Sequence, residues 1–216
     1  MKLNGILGFS LDLDRADVLY DRPFSRESLA EDFLVPAGDW SVEDGWLWGR
    51  IQANAGGFVY SRTLYPGNVL LDFTAQTVPP CDHDLNFTWR SEGWDEGKGD
   101  AGRGYIAGLS GWYEGKSGIE RYPETTAQAM TSLFHLEPGR SYHVQAGTVE
   151  DRCFIFLDGA LLVDLKDPAP LSDPACGRIG LGVFYSSVRF RDLKVLRPSV
   201  TRTDPSYLGF DRTSDL

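Results

Sequence analysis

The stretch "CFIFLDGALLVDL" (Cys153–Leu165), followed by "GRIGLGVFYS" (Gly177–Ser186) and "SVRFRDLKVLR" (Ser187–Arg197), decides the fold class. Short runs of β-branched and aromatic residues alternate here with turn residues. Asp158-Gly159 sits between two such runs, and this dipeptide tolerates the positive φ angles that a tight hairpin needs. The pattern predicts antiparallel strands rather than helices.

The same pattern extends toward the N-terminus. In "DWSVEDGWLWG" (Asp39–Gly49), Asp44-Gly45 predicts a second hairpin. In "SLAEDFLV" (Ser28–Val35), Ser28 and Glu31 form a capping-box pattern, although the segment could equally be an edge strand. We predict one β-sandwich domain over residues 1–198 and a polar tail over residues 199–216 that packs on the domain or extends from it.

Composition limits the partners. The 216 residues carry 21 Lys and Arg against 31 Asp and Glu, a net charge of -10, which disfavours nucleic acid and anionic membranes as partners. Cys81, Cys153 and Cys176 form no C-x-x-C pair, so neither a zinc site nor a disulfide scaffold is expected. Without a signal-peptide pattern at the N-terminus, we expect a cytoplasmic protein. The oligomeric state stays open.

Two sets of segments carry a family resemblance. "GDWSVEDGWLWG" (Gly38–Gly49) and the closing part from Leu136 to Pro198 resemble the concanavalin A-like jelly roll. That resemblance implies an all-β sandwich of two antiparallel sheets with a concave ligand face. "HDLNFTWRSEGW" (His83–Trp94) and "GYIAGLSGWYEGKSGIERYP" (Gly104–Pro123) are similar to the YesU-like proteins, which are associated with pectin (rhamnogalacturonan) breakdown in bacteria.

The resemblance implies a carbohydrate-active protein that acts on, or binds, oligosaccharides derived from plant polysaccharides. We expect a glycoside hydrolase or a polysaccharide lyase. The E-x-D-x-x-E pattern of laminarinase-type jelly-roll glycosidases is absent. A carbohydrate-binding protein without chemistry is the alternative, and a structural or assembly domain is a further one.

Strand alternation assigns the faces of the central segments. In "LNFTWRSE" (Leu85–Glu92), the apolar residues Leu85, Phe87 and Trp89 should face the space between the sheets, leaving the polar ones outside. Arg121 would then point inward and need a carboxylate partner or a place at the strand end. The residues that we predict to bind the saccharide are Asn86, Arg90, Trp94, Ser110, Trp112 and Arg121.

Two sets of residues could carry chemistry. Glu92 and Glu120 would serve a hydrolase if their strands bring the carboxyl groups within roughly 5 to 9.5 Å. His83 and Tyr122, with an arginine that neutralises a uronate, would serve a lyase. The competing interpretation of Glu92 and Glu120 is that they are surface carboxylates paired with arginines. The competing interpretation of His83 is that it only lies in a loop.

No cofactor is expected, and no residue is assigned as a metal ligand. Scattered aspartates would nevertheless allow a structural calcium ion, since that ion needs several clustered oxygens. These aspartates are Asp12, Asp14, Asp82, Asp84, Asp95 and Asp100.

Overall fold

The computed structural model describes residues 1–6, 8–52, 55–112 and 115–203. In this part of the chain, two large antiparallel sheets pack face to face, as the sequence predicts. The all-β jelly-roll sandwich of curled sheets is therefore confirmed.

Sheet A has nine strands among the described residues. In spatial order it contains β1 (Lys2–Leu3), β2 (Phe9–Asp21), β18 (Ser187–Arg202), β7 (Val69–Thr77), β14 (Ser141–Val149), β15 (Arg152–Leu157) and β16 (Ala160–Lys166), with the hairpin of β4 (Asp39–Glu43) and β5 (Trp46–Arg50) joined to β18.

Sheet B has seven strands in the same described ranges. In spatial order it contains β13 (Gln128–Thr131), β12 (Lys116–Tyr122), β11 (Gly104–Trp112), β8 (Leu85–Ser91), β17 (Arg178–Phe184), β6 (Gly56–Ser61) and β3 (Phe33–Leu34). A small separate hairpin is formed by β9 (Trp94–Asp95) and β10 (Asp100–Ala101).

Both predicted hairpins are confirmed. Asp44 and Gly45 have φ angles of 50° and 75°, and Asp158 and Gly159 have 49° and 82°. Positive φ at both central residues matches the right-handed twist of the flanking strands. These turns join β4 to β5 and β15 to β16.

The inner faces of the two sheets form the main core. Leu85, Phe87 and Trp89 on β8 are fully buried, as the alternation predicts. The Trp89 indole N–H donates to the Thr148 hydroxyl on β14. Trp89 thereby keeps its polar atom satisfied while its ring fills the core.

The helical segment differs from the predicted one. A helix, α1, spans Arg26–Asp32, and its N-cap is Ser25. Ser25 and Ser28 bond each other's backbone N–H groups, so Ser28 is the inner partner of the capping box and its predicted pairing with Glu31 is wrong. Among the described residues, no helix is long and apolar enough to cross a membrane.

The C-terminal boundary falls in a strand. The sequence predicts that the tail begins after Pro198, but β18 continues through this residue as far as Arg202. Residues 204–216 of the predicted tail lie outside the described residues. The three cysteines are all unpaired.

Candidate functional site

The candidate site is the outer face of sheet B, the face turned away from sheet A. Strand register places a row of residues directly beside one another across six strands. From β6 to β13 this row, which we call the floor row, contains Phe58, Gly182, Asn86, Gly108, Gly118 and Met130. Three of these six positions are glycines, so few side chains project from the face between Phe58 and Met130.

A second row lies two residues further along the strands. It contains Tyr60, Gly180, Thr88, Ile106, Glu120 and Gln128. The two rows together put aromatic rings at one edge of the face and polar groups at the other.

The glycines let neighbouring side chains lie down on the sheet. A Cβ atom at Gly108 would come within 3.0 Å of Cζ3 of Trp112, and one at Gly182 would clash with the Phe58 ring. Because these positions lack side chains, the indole of Trp112 and the ring of Phe58 cover backbone. Trp112 is half-buried and keeps part of its ring in contact with solvent.

Glu120 and its neighbours form the polar edge. Its carboxylate accepts a hydrogen bond from Gln128 Nε2 at 3.1 Å. Burial raises the pKa of the Glu120 carboxyl, while hydrogen bonds from Gln128 and Trp112 oppose that rise. Trp112, Glu120 and Gln128 thus form one cluster at this edge of the face.

A second polar group lies near the middle of the floor row. Asn86 is only 7% exposed, and its amide donates to Asp84 Oδ1 at 3.4 Å. Burial raises the pKa of the Asp84 carboxyl to about 6, although Asn86 and His83 oppose the shift. The amide of Asn86 thus lies in the floor row beside a carboxyl whose pKa is raised by burial.

The β9–β10 hairpin closes one end of the face. Trp94 and Ala101 pack with Phe58 and Tyr60 in a small apolar cluster. The hydroxyl of Tyr122 donates to Asp100 Oδ2 at 2.6 Å, which ties the hairpin to β12. Trp94 therefore has a packing partner here, and its predicted contact with a saccharide stays a prediction.

Three residues predicted to line this face point elsewhere. Arg90 has a φ of 44° next to a register shift between β8 and β17, and this β-bulge turns its side chain into the end of the sandwich. Its Nε donates to Gly67 O at 3.1 Å and its Nη1 to Leu171 O at 2.8 Å. The predicted outward direction of Arg90 is wrong.

Ser110 is displaced by a second bulge. Its φ is 51°, the register of β11 against β12 shifts there, and its Oγ accepts from Leu136 N at 2.9 Å. Since Ser110 is 5% exposed and bonded to a core segment, its predicted place on the open face is also wrong.

Arg121 faces inward, where it has the carboxylate partner that the alternation demands. Its Nη1 lies 3.2 Å from both carboxylate oxygens of Asp167, which is 1% exposed. Tyr105 also donates to Asp167, at 2.8 Å. Arg121 is thus an interior ion-pair residue, and its predicted contact with a ligand on the outer face has no support in its position.

The predicted carboxylate pair is not assembled. Glu120 is opposite Ile106, which is opposite Thr88, and Glu92 follows Thr88 by four positions. Four residues along a strand and two strand spacings across correspond to roughly 16 Å between backbones, so the carboxyl groups would come within the glycosidase range only if both side chains extended toward each other. Glu92 is instead bonded by Arg103 Nη2 at 2.7 Å.

The predicted lyase residues are also apart. Tyr122 pairs with Gly104 at one end of β11, while His83 precedes Leu85, which pairs with Leu109 at the other. The five strand residues from Gly104 to Leu109 alone correspond to roughly 17 Å, so Tyr122 and His83 lie farther apart than that. The His83 ring bonds Asp82 at 2.9 Å and the carbonyl of Tyr185 at 3.0 Å, contacts that raise its pKa and hold it in the loop.

Among the residues that the structure describes, one cluster could offer ligands to a cation. Donor atoms of Glu92, Asp173 and Cys176 lie within 4.8 Å of one another. Arg103 Nη2 already donates to both carboxylates, at 2.7 and 3.0 Å, so a cation would compete with a guanidinium.

Some residues of the site escape sequence reasoning. Phe58, Gln128 and Met130 enter the floor row or the second row only through register, which pairs strands distant in the chain. The spacing Gly180-x-Gly182 on β17 could have indicated the site, because glycines at alternate positions of a strand leave one face of it without side chains. Tyr113 and Glu114, part of the Gly104–Pro123 stretch, lie outside the described residues.

Comparison with known proteins places the chain in a structural class. No family model matches the sequence, and no curated protein does. Solved structures do match the fold, which is galectin-like and of the lectin jelly-roll type.

Three of these structures cover most of this chain. A Bacillus subtilis protein of unknown function with a galectin-like fold shares 11% identity at a TM-score of 0.64, covering 92% of this chain and 99% of that one. The carbohydrate binding module CBM66 from Bacillus subtilis shares 18% at 0.58, covering 75% and 93%. The exoplasmic/lumenal domain of VIP36, in a Ca²⁺/Man3GlcNAc-bound form, shares 8% at 0.57, covering 93% and 95%. Likeness at these identities establishes the fold alone.

Proposed function

We propose that this protein binds a glycan on the outer face of sheet B and performs no chemistry on it. The observation that carries the proposal is the floor row. Its glycines leave open space on the face, and this space lies beside the half-buried indole of Trp112, the amide of Asn86 and the carboxylate of Glu120. Sugar rings present apolar C–H faces to an indole and hydroxyl groups to amides and carboxylates, so this mixture suits them.

The distribution of carboxylates favours binding over catalysis. A glycosidase needs two carboxyl groups on either side of one bond. Glu120 has Gln128 and Trp112 as hydrogen-bond partners, and its predicted partner Glu92 is bonded to Arg103. Glycan binding by structural neighbours, one a carbohydrate binding module and one described with Man3GlcNAc bound, adds support at the level of the fold.

Trp112→Ala tests the site. Truncation removes the ring that covers Gly108, and we expect the glycan dissociation constant to rise about tenfold, equivalent to ~1.4 kcal/mol. Trp46→Ala is the matched control, because Trp46 is a half-buried tryptophan on sheet A that stacks on Arg189 and Arg191. Titration calorimetry against neutral and pectic oligosaccharides measures both, the pectic ones following from the resemblance to the YesU-like proteins.

The same incubations separate binding from catalysis. Mass spectrometry that finds intact oligosaccharide supports a binding protein. A product heavier by one water per cleavage would make the protein a hydrolase, and an unsaturated uronate would make it a lyase; either would contradict our proposal. Equal loss of affinity in Trp46→Ala and Trp112→Ala would contradict the proposed place of the site.

The proposed contacts include no metal ligand. Glycan affinity should therefore persist in EDTA. A structural calcium ion is a separate proposal, with the carboxylates of Glu92 and Asp173 as its candidate oxygen ligands. It predicts a higher melting temperature in Ca²⁺ than in EDTA, and an unchanged melting temperature would exclude it.

A further inference from the structure

The end of the sandwich contains a cleft that is separate from the outer face of sheet B. It has a volume of about 730 Å³, which is in the usual range for small-molecule sites. Its walls combine apolar residues such as Phe9 and Leu171 with four cations, Arg90, Arg152, Lys166 and Arg202. The cleft is open on one side and large enough for a molecule of monosaccharide size.

Arg90 is the unusual member of this lining. It is 7% exposed, and two of its nitrogens donate to the carbonyl groups of Gly67 and Leu171. Within the described ranges, no carboxylate bonds to it and its Nη2 has no partner. A guanidinium taken out of water without a counter-ion is costly, unless an anion from outside completes it.

The other charges of the cleft are already paired, including Asp173, which shares Arg103 with Glu92. Arg202 bonds both carboxylate oxygens of Glu150 at 2.8 Å, and Arg152 bonds Asp164 at 3.2 Å. Lys166 lies 3.6 Å from Asp151, a loose pair in which the lysine is 60% exposed. Lys166 can therefore turn toward a ligand at little cost.

The interior behind the cleft does not neutralise Arg90 either. The buried carboxylate of Asp167 is taken by Arg121 and Tyr105. Burial raises the pKa of the neighbouring Cys153 thiol to about 12, so that it carries no charge at neutral pH. Neither Asp167 nor Cys153 therefore supplies a counter-ion to Arg90.

We infer that this cleft binds a small organic anion, whose carboxylate or phosphate group pairs with Arg90 and is approached by Lys166. The anionic group would receive the charge-assisted hydrogen bonds that a guanidinium supplies best. Its apolar side would rest on Phe9 and Leu171.

The test follows the Arg90 side chain directly by NMR. In protein labelled with ¹⁵N-arginine, the Arg90 Nε–Hε signal is monitored during titration with glucuronate, inorganic phosphate or glucose at constant ionic strength. We expect it to move with at least one anion and not with glucose. The anion that acts identifies the group recognised. No movement with either anion well above millimolar concentration, or equal movement with glucose, would overturn the inference.

Variants give a second reading. Arg90→Met should raise the dissociation constant of the anion about tenfold or more. Because that variant also removes the donors to the carbonyl groups of Gly67 and Leu171 and could unfold, the exposed Lys166→Met is the second variant, with a rise of about fivefold expected. Arg191→Met, on a 46% exposed arginine of β18, is the matched control and should change nothing.

Two results would refute the inference: unchanged affinity in both cleft variants, or an equal loss in the control. Trp112→Ala should leave anion binding intact, so the failure of this inference and the failure of the glycan proposal are distinguishable.

Discussion

Removing one half of the interior ion pair between Arg121 and Asp167 should destabilise the protein by several kcal/mol. Asp167 is 1% exposed and accepts from Arg121, from Tyr105 at 2.8 Å and from the Ala169 N–H at 2.9 Å. Asp167→Asn keeps the shape and one acceptor oxygen, but it leaves the guanidinium of Arg121, which is 15% exposed, without its nearest anion.

Breaking one half of a buried pair costs about 3 to 5 kcal/mol. We expect the low end, about 3 kcal/mol, because Arg121 keeps some solvent and has Glu124 at 3.9 Å. For a chain of this size, that loss corresponds to a melting temperature lower by about 6 to 12 °C. Urea unfolding followed by tryptophan fluorescence measures the free energy.

The matched control is Glu137→Gln. Glu137 bonds Arg140 at 2.6 Å, a shorter contact than that of Arg121, but the two side chains are 67% and 50% exposed. Its loss should cost less than about 1 kcal/mol. The double variant Arg121→Met/Asp167→Asn should be more stable than the sum of its single variants implies. Two results would contradict the argument from burial. One is an equal loss of unfolding free energy in Asp167→Asn and Glu137→Gln. The other is a loss in the double variant that equals the sum of the losses in its two single variants.

The remaining predictions concern pH and packing. The pKa of Asp84 is raised to about 6 in the folded protein, so the native state holds its proton more tightly and stability falls as pH rises from about 4 to 6. Asp84→Asn should abolish about 1 kcal/mol of that fall, after allowance for solvent screening. Urea unfolding of both proteins at about pH 4 and pH 6 measures the change in unfolding free energy with pH. The same change in the wild type and the variant would contradict the prediction. Gly147→Ala should cost several kcal/mol, because its Cβ would collide with the carbonyl of Val69. Gly45→Ala, with open space but a φ of 75°, should cost only about 1 kcal/mol, and similar melting temperatures for the two variants would refute the packing argument.

Much of the fold is readable from local sequence. The Asp-Gly turns fix both hairpins, and strict alternation in Leu85, Phe87 and Trp89 fixes the inner face of β8. These features depend on neighbours in the chain, so periodicity and turn chemistry suffice to predict them.

The candidate site is harder to predict, because it depends on where alternation fails. Arg90 and Ser110 adopt positive φ at β-bulges, and each then leaves the face that alternation assigns to it. Neither is glycine, asparagine or aspartate, so the sequence carries no signal of the left-handed backbone there. Asn86, which lies in the regular part of β8 and pairs with Gly108, occupies the face that alternation predicts.

Register is the other missing quantity. The separation of Glu92 from Glu120 follows from the pairing of β12 with β11 and of β11 with β8. A shift of two residues in either pairing would preserve every inward and outward direction while moving the carboxylates by roughly 7 Å. Residue types alone therefore could not decide between a catalytic pair and two unrelated carboxylates.

The position of β18 has a consequence for how the chain folds. This strand is the last of those described, yet it lies inside sheet A between β2 and β7 and also pairs with β5. Until Ser187–Arg202 leaves the ribosome, β2 and β7 both present open edges that can recruit strands from other chains. Nascent chains that stall before β18 should therefore be substrates for chaperones, and premature termination in this region should yield aggregates rather than a smaller folded protein.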